Sequence, residues 1–177
     1  MTTAGGRYTI DSAHTQALFK IEHLGVSHQY GMFTRVEGSF EIDAADLAKS
    51  KIDISIPADS VFTAVQKRDD HLRSPDFLDA KQFPTITFKS KSVEATGANT
   101  YAVVGELTLH GVTRNVTLAL ENVGSARDPE AMGGAFRVGF NGEATIKRSE
   151  WNMTYMQGAG LGDEVTLLLA VEGTRAK

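Results

Sequence analysis

The sequence predicts an all-β, antiparallel fold closed into a barrel, and three observations predict it. Apolar residues recur at every second position in short runs along most of the chain. Turn residues, not helical patterns, separate most of these runs, so the long crossovers that parallel strands require are missing. So many strands with one dry face can stack as a sandwich or close into a barrel, and closure, the favoured arrangement, removes exposed edges.

Residues 1–6 are small and polar and read as a flexible tail. Tyr8 and Ile10 open the first run, and Phe19 and Ile21 follow with Lys20 and Glu22 on the opposite face. "VEGSFEID" places Val36, Gly38, Phe40 and Ile42 together, and "KIDISIP" aligns Ile52, Ile54 and Ile56. Further runs carry Ile86 and Phe88, Val103 and Leu107, Val116, Leu118 and Leu120, then Phe136, Val138 and Phe140. The last aligns Val165, Leu167, Leu169 and Val171. About eight or nine strands result, with His110-Gly111 and Asn141-Gly142 as turn signals. The segment from Gly124 to Gly134 reads as a surface loop between strands.

One stretch breaks the pattern. Gln66 to Arg73 holds good helix formers without glycine or proline, and Ser74-Pro75 should end a helix of about two turns. Asp76 is a candidate cap for a second short turn at Phe77 and Leu78. A helix this short must be held by docking Leu72, Phe77 and Leu78 on the sheet, which makes it a plug for one barrel end. Pro84 is tolerated where the next strand begins.

The 177 residues, with 4 prolines and 17 glycines, fit a single domain spanning 1–177. A net charge of −4 gives no field that would gather nucleic acid, which is not expected as a partner. Without cysteine, neither a disulfide nor a thiolate zinc site can form. The start has neither a long apolar run nor a secretory leader, so with Met1 as the native start a cytoplasmic location is expected; a leader removed upstream would make the protein periplasmic or secreted.

The stretch "RDDHLRSPDFLDAKQFPTITFKS" resembles the hallmark of the YceI-like family of bacterial lipid-binding proteins. "YTIDSAHTQALFKIEHLGVSHQYGMF" is similar to the family's opening, with Asp11, His14, Phe19, His23, Gly25, Gly31 and Phe33 in order. "GELTLHGVTRNVTL" resembles its central hairpin, and "RSEWNM" with "GLGDEVTL" its closing segment. Thr15 stands where the family usually has Ser, and Asn152 where it usually has Gly after an aromatic. The resemblance implies an extended, eight-stranded lipocalin-like barrel whose apolar bore takes up a polyisoprenoid, such as an isoprenoid quinone or a prenyl phosphate.

On that reading the lining residues are Phe19, Ile21, Phe33, Phe40, Ile54, Phe88, Phe136, Val138, Trp151 and Met153, partly closed over by Leu72 and Phe77. Arg68, His71 and Arg148 are headgroup candidates. Trp151 and Met153 equally suit an ordinary core, and an eight-stranded barrel is just wide enough either to be filled or to hold one ligand. No cofactor is expected beyond the bound lipid. Taking cargo from a bilayer brings transient membrane contact, and outward-facing rows could support a homodimer.

Two other readings compete. An enzyme acting on a similar lipid could use Asp69, Asp70 and His71 as acid or base groups, yet adjacent carboxylates on a helix point different ways and no nucleophile motif accompanies them. A solid barrel acting as a stress-related interaction protein would need no ligand. The five histidines, His14, His23, His28, His71 and His110, lack helical metal-ligand spacing and suit turns and hydrogen bonds, so no metal site is expected. "GAGLGDE" precedes a strand and carries two carboxylates, which suits a loop better than a phosphate cradle.

Overall fold

In a computed structural model, residues 5–175 are described, Met132 by its backbone alone. Eleven strands form one sheet: β1 (Gly6–Ile10), β2 (Gln16–His23), β3 (Ser27–Phe33), β4 (Glu37–Ile42), β5 (Lys51–Pro57), β6 (Val61–Phe62), β7 (Thr85–Ala95), β8 (Thr100–Leu109), β9 (Val112–Arg127), β10 (Phe136–Lys147) and β11 (Leu161–Arg175). One α-helix, α1 (Gln66–Arg73), interrupts them.

Every pairing between these strands is antiparallel, and the ring closes where β1 meets β11. The first six strands are three long strands, each broken once. β1 and β2 both run along β11, while β4 and β3 pair with β1 and β2 respectively. β5 and β6 continue the pattern against β4 and β3. With β7 to β11 each pairing its neighbour, the result is an eight-stranded up-and-down barrel.

The helix stands where the sequence predicts it. Ser74 has ψ 170° and closes it, as the following proline requires. The second turn differs from expectation: Ser74 Oγ accepts from the Asp76 backbone N–H at 3.4 Å, while the Asp76 carboxylate turns to His71 instead of capping.

Other boundaries also differ. Gly6, expected in the tail, pairs with Ile42 in β1, and residues 1–4 lie outside the described residues. The stretch "SHQYGMF" lacks clean alternation, yet it forms β3. His110 (φ 49°) and Gly111 (φ 73°) do form the two-residue turn of the β8–β9 hairpin. Asn141-Gly142 is no turn: it lies inside β10, where leucines of both neighbouring strands lean over Gly142 and leave no room for a side chain. The loop expected from Gly124 begins at Asp128, because β9 continues to Arg127.

The end of the barrel away from α1 is packed solid, and this is called the far end. Tyr8 stacks on Phe40 at 5.2 Å, Phe140 meets Phe40 edge-on at 5.8 Å, and Phe136 tilts against Tyr8 at 6.5 Å. The Arg175 guanidinium lies 5.3 Å from the Tyr8 ring centre and 5.4 Å from that of Phe136. Burial raises the Tyr8 hydroxyl above its usual pKa, with Arg175 opposing.

Beside this plug, Arg137 ties three elements together. Its guanidinium pairs with Asp11, with Asp128 at 2.7 Å and with Glu172 at 3.3 Å. The bond from Arg137, then that with His14, lowers the Asp11 carboxyl to about 2, well under the ordinary carboxylate range. A depressed folded-state pKa contributes stability above the unfolded value and loses it as pH falls through the folded one. Acid unfolding monitored by circular dichroism should therefore steepen between pH about 4 and about 2, and Asp11→Asn should flatten that limb. Arg137→Ala, which strands Asp11 and Asp128 together, should cost about 2 kcal/mol in urea unfolding at neutral pH.

Candidate functional site

The barrel is too wide for its own side chains to fill. Two adjoining chambers lie inside it: an inner one of about 180 Å³ and an outer one of about 510 Å³ under α1. Ala17, Ile56, Leu107, Leu167 and Leu169 border both and form a waist between them.

The period-two pattern builds these walls, because alternate residues of every strand point inward. Leu107 and Val103 of β8, Leu118 and Val116 of β9, and Leu167 and Leu169 of β11 are inner-wall residues of this kind. Glycine keeps the bore wide in places. Phe19 stands opposite Gly31 across the β2–β3 pair, and its ring occupies the space a Cβ there would need. The ring thus lies against the wall instead of projecting across the bore.

Most of the residues singled out from the sequence come together here. Phe40, Ile54 and Phe88 line the inner chamber. Phe19, Ile21, Phe33, Leu72, Phe77 and Met153 line the outer one, as do Arg68, His71 and Arg148. Three do not reach the cavity. Phe136 and Val138 belong to the far-end plug around Tyr8. Trp151, 1% exposed, is core: its Nε1–H donates to the Leu107 carbonyl at 3.3 Å, and its own carbonyl bonds His110 Nδ1 at 2.9 Å.

The polar candidates have structural partners. Arg148 is 2% exposed and donates to the carbonyls of Met153 (2.6 Å), Gly162 (2.7 Å) and Leu161 (3.2 Å), stapling the loop before β11. Burial lowers its pKa, with the charge of Asp163 opposing. Burial also works on Asp163, but hydrogen bonds from Ser149 and the charges of Arg148 and Lys147 win and hold its carboxyl below the usual value. Arg68 donates to Thr63 Oγ1 (2.7 Å), the Thr63 carbonyl (2.7 Å) and Gln29 Oε1 (3.0 Å).

Asp69, Asp70 and His71 do not converge. Asp69, 3% exposed, accepts from the Thr63 N–H at 2.8 Å and its hydroxyl. Asp70 turns to Gln66 (2.8 Å) and Arg73 (3.1 Å), and His71 to Asp76 (2.8 Å). His71 also packs edge-on against Phe77 at 5.0 Å and Tyr155 at 4.9 Å, an aromatic cluster on the outer chamber.

At the far end, Asp11, His14 and Glu172 hold ligand-type atoms within 4.8 Å of one another. The Arg137 guanidinium pairs with both carboxylates, so their charge is already met by a protein cation.

Sequence reasoning missed much of the wall. Leu107, Leu118, Leu167 and Leu169 stood in the alternating runs, and simple extension of the pattern finds them. Tyr155, Met156 and Leu161 come from an irregular loop and the start of β11, where no periodicity points inward.

A closed antiparallel barrel around an apolar bore is the architecture of a barrel binding protein. The chain belongs to the YceI-like domain family, which matches residues 8–173. A UPF0312 protein of Yersinia enterocolitica is 42% identical over 183 aligned positions, covering 100% of this chain and 93% of the relative. The crystal structure of a Campylobacter jejuni YceI protein is similar at 31% identity and a TM-score of 0.74, covering 88% of this chain and 90% of that one. A polyisoprenoid binding domain from Saccharophagus degradans, implicated in plant cell wall breakdown, shares the fold at 16% identity and a TM-score of 0.68, covering 94% of this chain and 97% of that one.

Asn152 has φ 60°, a left-handed conformation that glycine adopts freely and asparagine tolerates better than most residues. The family's Gly is thus replaced without a change of backbone. Thr15 keeps the hydroxyl of the family's Ser and uses it on the Glu172 backbone, accepting from its N–H at 3.1 Å.

The waist supplies a test of continuity. Ala17→Phe should fill the gap between the chambers, cost no more than roughly 2 kcal/mol of stability, and confine any bound chain to the outer chamber. Soaking in xenon and crystallography of the variant would show whether the inner chamber still takes up gas.

Proposed function

We propose that this protein binds a polyisoprenoid lipid non-covalently in its bore and sequesters or carries it. The observation that supports this most is the pair of adjoining apolar chambers inside a closed barrel. The inner wall is almost wholly hydrocarbon, and the outer wall carries polar groups only near its mouth. Its volume falls in the ordinary range of ligand pockets, about 300–1,000 Å³.

Packing energetics favour an occupant over a solid barrel. Apolar volume that side chains leave unfilled forfeits dispersion contacts, at about 24 cal/mol per Å³ in measured cavities. For the inner chamber's 180 Å³ that is roughly 4 kcal/mol, comparable with a large part of a domain's net stability. An inserted hydrocarbon chain restores those contacts.

An isoprenoid suits the shape because the two chambers adjoin at a waist, which a branched, flexible chain can thread. Each buried methylene contributes about 0.8 kcal/mol relative to water, but a chain drawn from a membrane is already dry. Net affinity therefore follows the fit along the bore. Family membership and the polyisoprenoid binding domain of the same fold point the same way. Asp69, Asp70 and His71 do not converge on one point, so the acid–base cluster read from the sequence is not assembled as expected.

Native mass spectrometry of the purified protein, followed by organic extraction, tests the proposal. A stoichiometric isoprenoid is expected, and Phe88→Asp, which sets a charge on the inner wall, should lower its occupancy about tenfold or more. A folded protein that refuses isoprenoid quinones and prenyl phosphates alike would sink the reading.

A further inference from the structure

The mouth of the outer chamber is bounded by three segments, 23–30, 61–68 and 154–161, each of which supplies wall residues. Exposed apolar side chains concentrate on them. Leu24 (57% exposed) and Val26 (79%) project from the β2–β3 turn, and Tyr30, Val65, Tyr155 and Met156 continue the rim. Phe62 lies in the same set, and among the large apolar residues exposed in the described chain only Val123 lies elsewhere. Tyr30, Tyr155 and Met156 are both exposed and part of the chamber wall, so the apolar surface runs unbroken from outside into the bore.

Charge is distributed to match. The protein carries 22 acidic residues, yet these three segments contain none, while His23, His28, Lys67 and Arg68 lie within them. Of the carboxylates near them, Asp59 pairs with Arg35, Asp69 is held by Thr63, Asp70 by Arg73, Asp76 by His71 and Asp163 by Ser149; Glu22 and Glu164 have no side-chain partner among the described residues. An acidic protein thus presents a neutral-to-basic apolar ring around one opening.

We infer that this rim docks on an anionic lipid bilayer, with the β2–β3 turn and the 154–161 loop inserted at the interface and the mouth facing the acyl chains. The inference rests on the proposal that the bore takes a membrane-resident lipid. Apolar tips with flanking cations are the composition that lies in a bilayer interface, where aromatic and aliphatic groups enter and Lys and Arg meet anionic headgroups. A second copy of the chain suits the rim poorly, since burying the rim against it would seal the opening. No helix among the described residues is long and apolar enough to cross a membrane.

Flotation with vesicles of phosphatidylcholine alone, and of phosphatidylcholine mixed with phosphatidylglycerol, tests this. Binding is expected to the mixed vesicles, to weaken with salt, and to fall about tenfold in the double variant Leu24→Asp/Val26→Asp. Val123→Asp should bind like the wild type. Failure of the wild type to float with either vesicle, or undiminished flotation of the double variant, overturns the inference. So does a dimer in sedimentation that the double variant dissolves. Uptake of an isoprenoid quinone from detergent micelles is scored in parallel. Uptake without flotation defeats the docking alone, and loss of uptake in the wild type defeats the proposed cargo.

Discussion

Pairing of the first strand with the last, Thr9 with Thr174 and Ile10 with Gly173, is the constraint on which the rest of the structure depends. It converts a meander into a ring, removes the edges that β1 and β11 would otherwise expose, and fixes how wide the interior must be. Eight strands enclose more volume than their inward side chains occupy. Width therefore follows from closure, and the chambers follow from width.

The two ends solve the resulting exposure differently. At the far end, Phe40 stacked on Tyr8 and Phe136 tilted against it form an aromatic cluster beside the inner chamber, and Arg137 locks the surrounding segments with charge-assisted bonds. At the other end β6 is only two residues long, so β3 loses its partner beyond Met32 and the wall opens. Helix α1 follows at once and occupies that gap. One end is a structural plug and the other a mouth with a partial cover, which gives the bore a direction.

Much of this was legible in the sequence. Alternation located the strands carrying Phe40, Ile54, Phe88, Val103 and Leu118, and Ser74-Pro75 fixed the end of α1 to the residue. What escaped were features set by three-dimensional crowding. Asn141-Gly142 looks like a turn because turns favour those residues, but here glycine answers the approach of Leu120 and Leu169 from both sides. Phe136 and Val138 share the inward phase of Phe140, yet depth along the axis decides whether an inward residue meets plug or cavity, and period two carries no information about depth. Trp151 was ambiguous for the same reason.

The fastening of α1 bears on how the mouth works. The sequence suggested that apolar docking of Leu72, Phe77 and Leu78 holds the helix, and Leu78 is indeed buried. The stronger ties are polar, and among them Arg68, Thr63 and Gln29 are part of the chamber wall itself. Arg73 donates to the carbonyls of Asp59 (2.8 Å) and Val61 (2.9 Å), Asp69 caps Thr63, and Arg68 reaches across to Gln29 on β3. Charge-assisted bonds of this kind are about twice as strong as neutral ones, and none of them uses the contents of the bore. On the proposed function, the cover is held in place by the protein's own bonds whether or not a ligand is present. Of the inward-facing cluster, His71 is tied to Asp76 at 2.8 Å, while the rings of Phe77 and Tyr155 are held to it and to each other by edge-on contacts alone among the described residues. For the proposed cargo, rotation of these rings at a fixed opening is a smaller rearrangement than lifting a helix, and it suits the proposed seating of the mouth on a lipid surface.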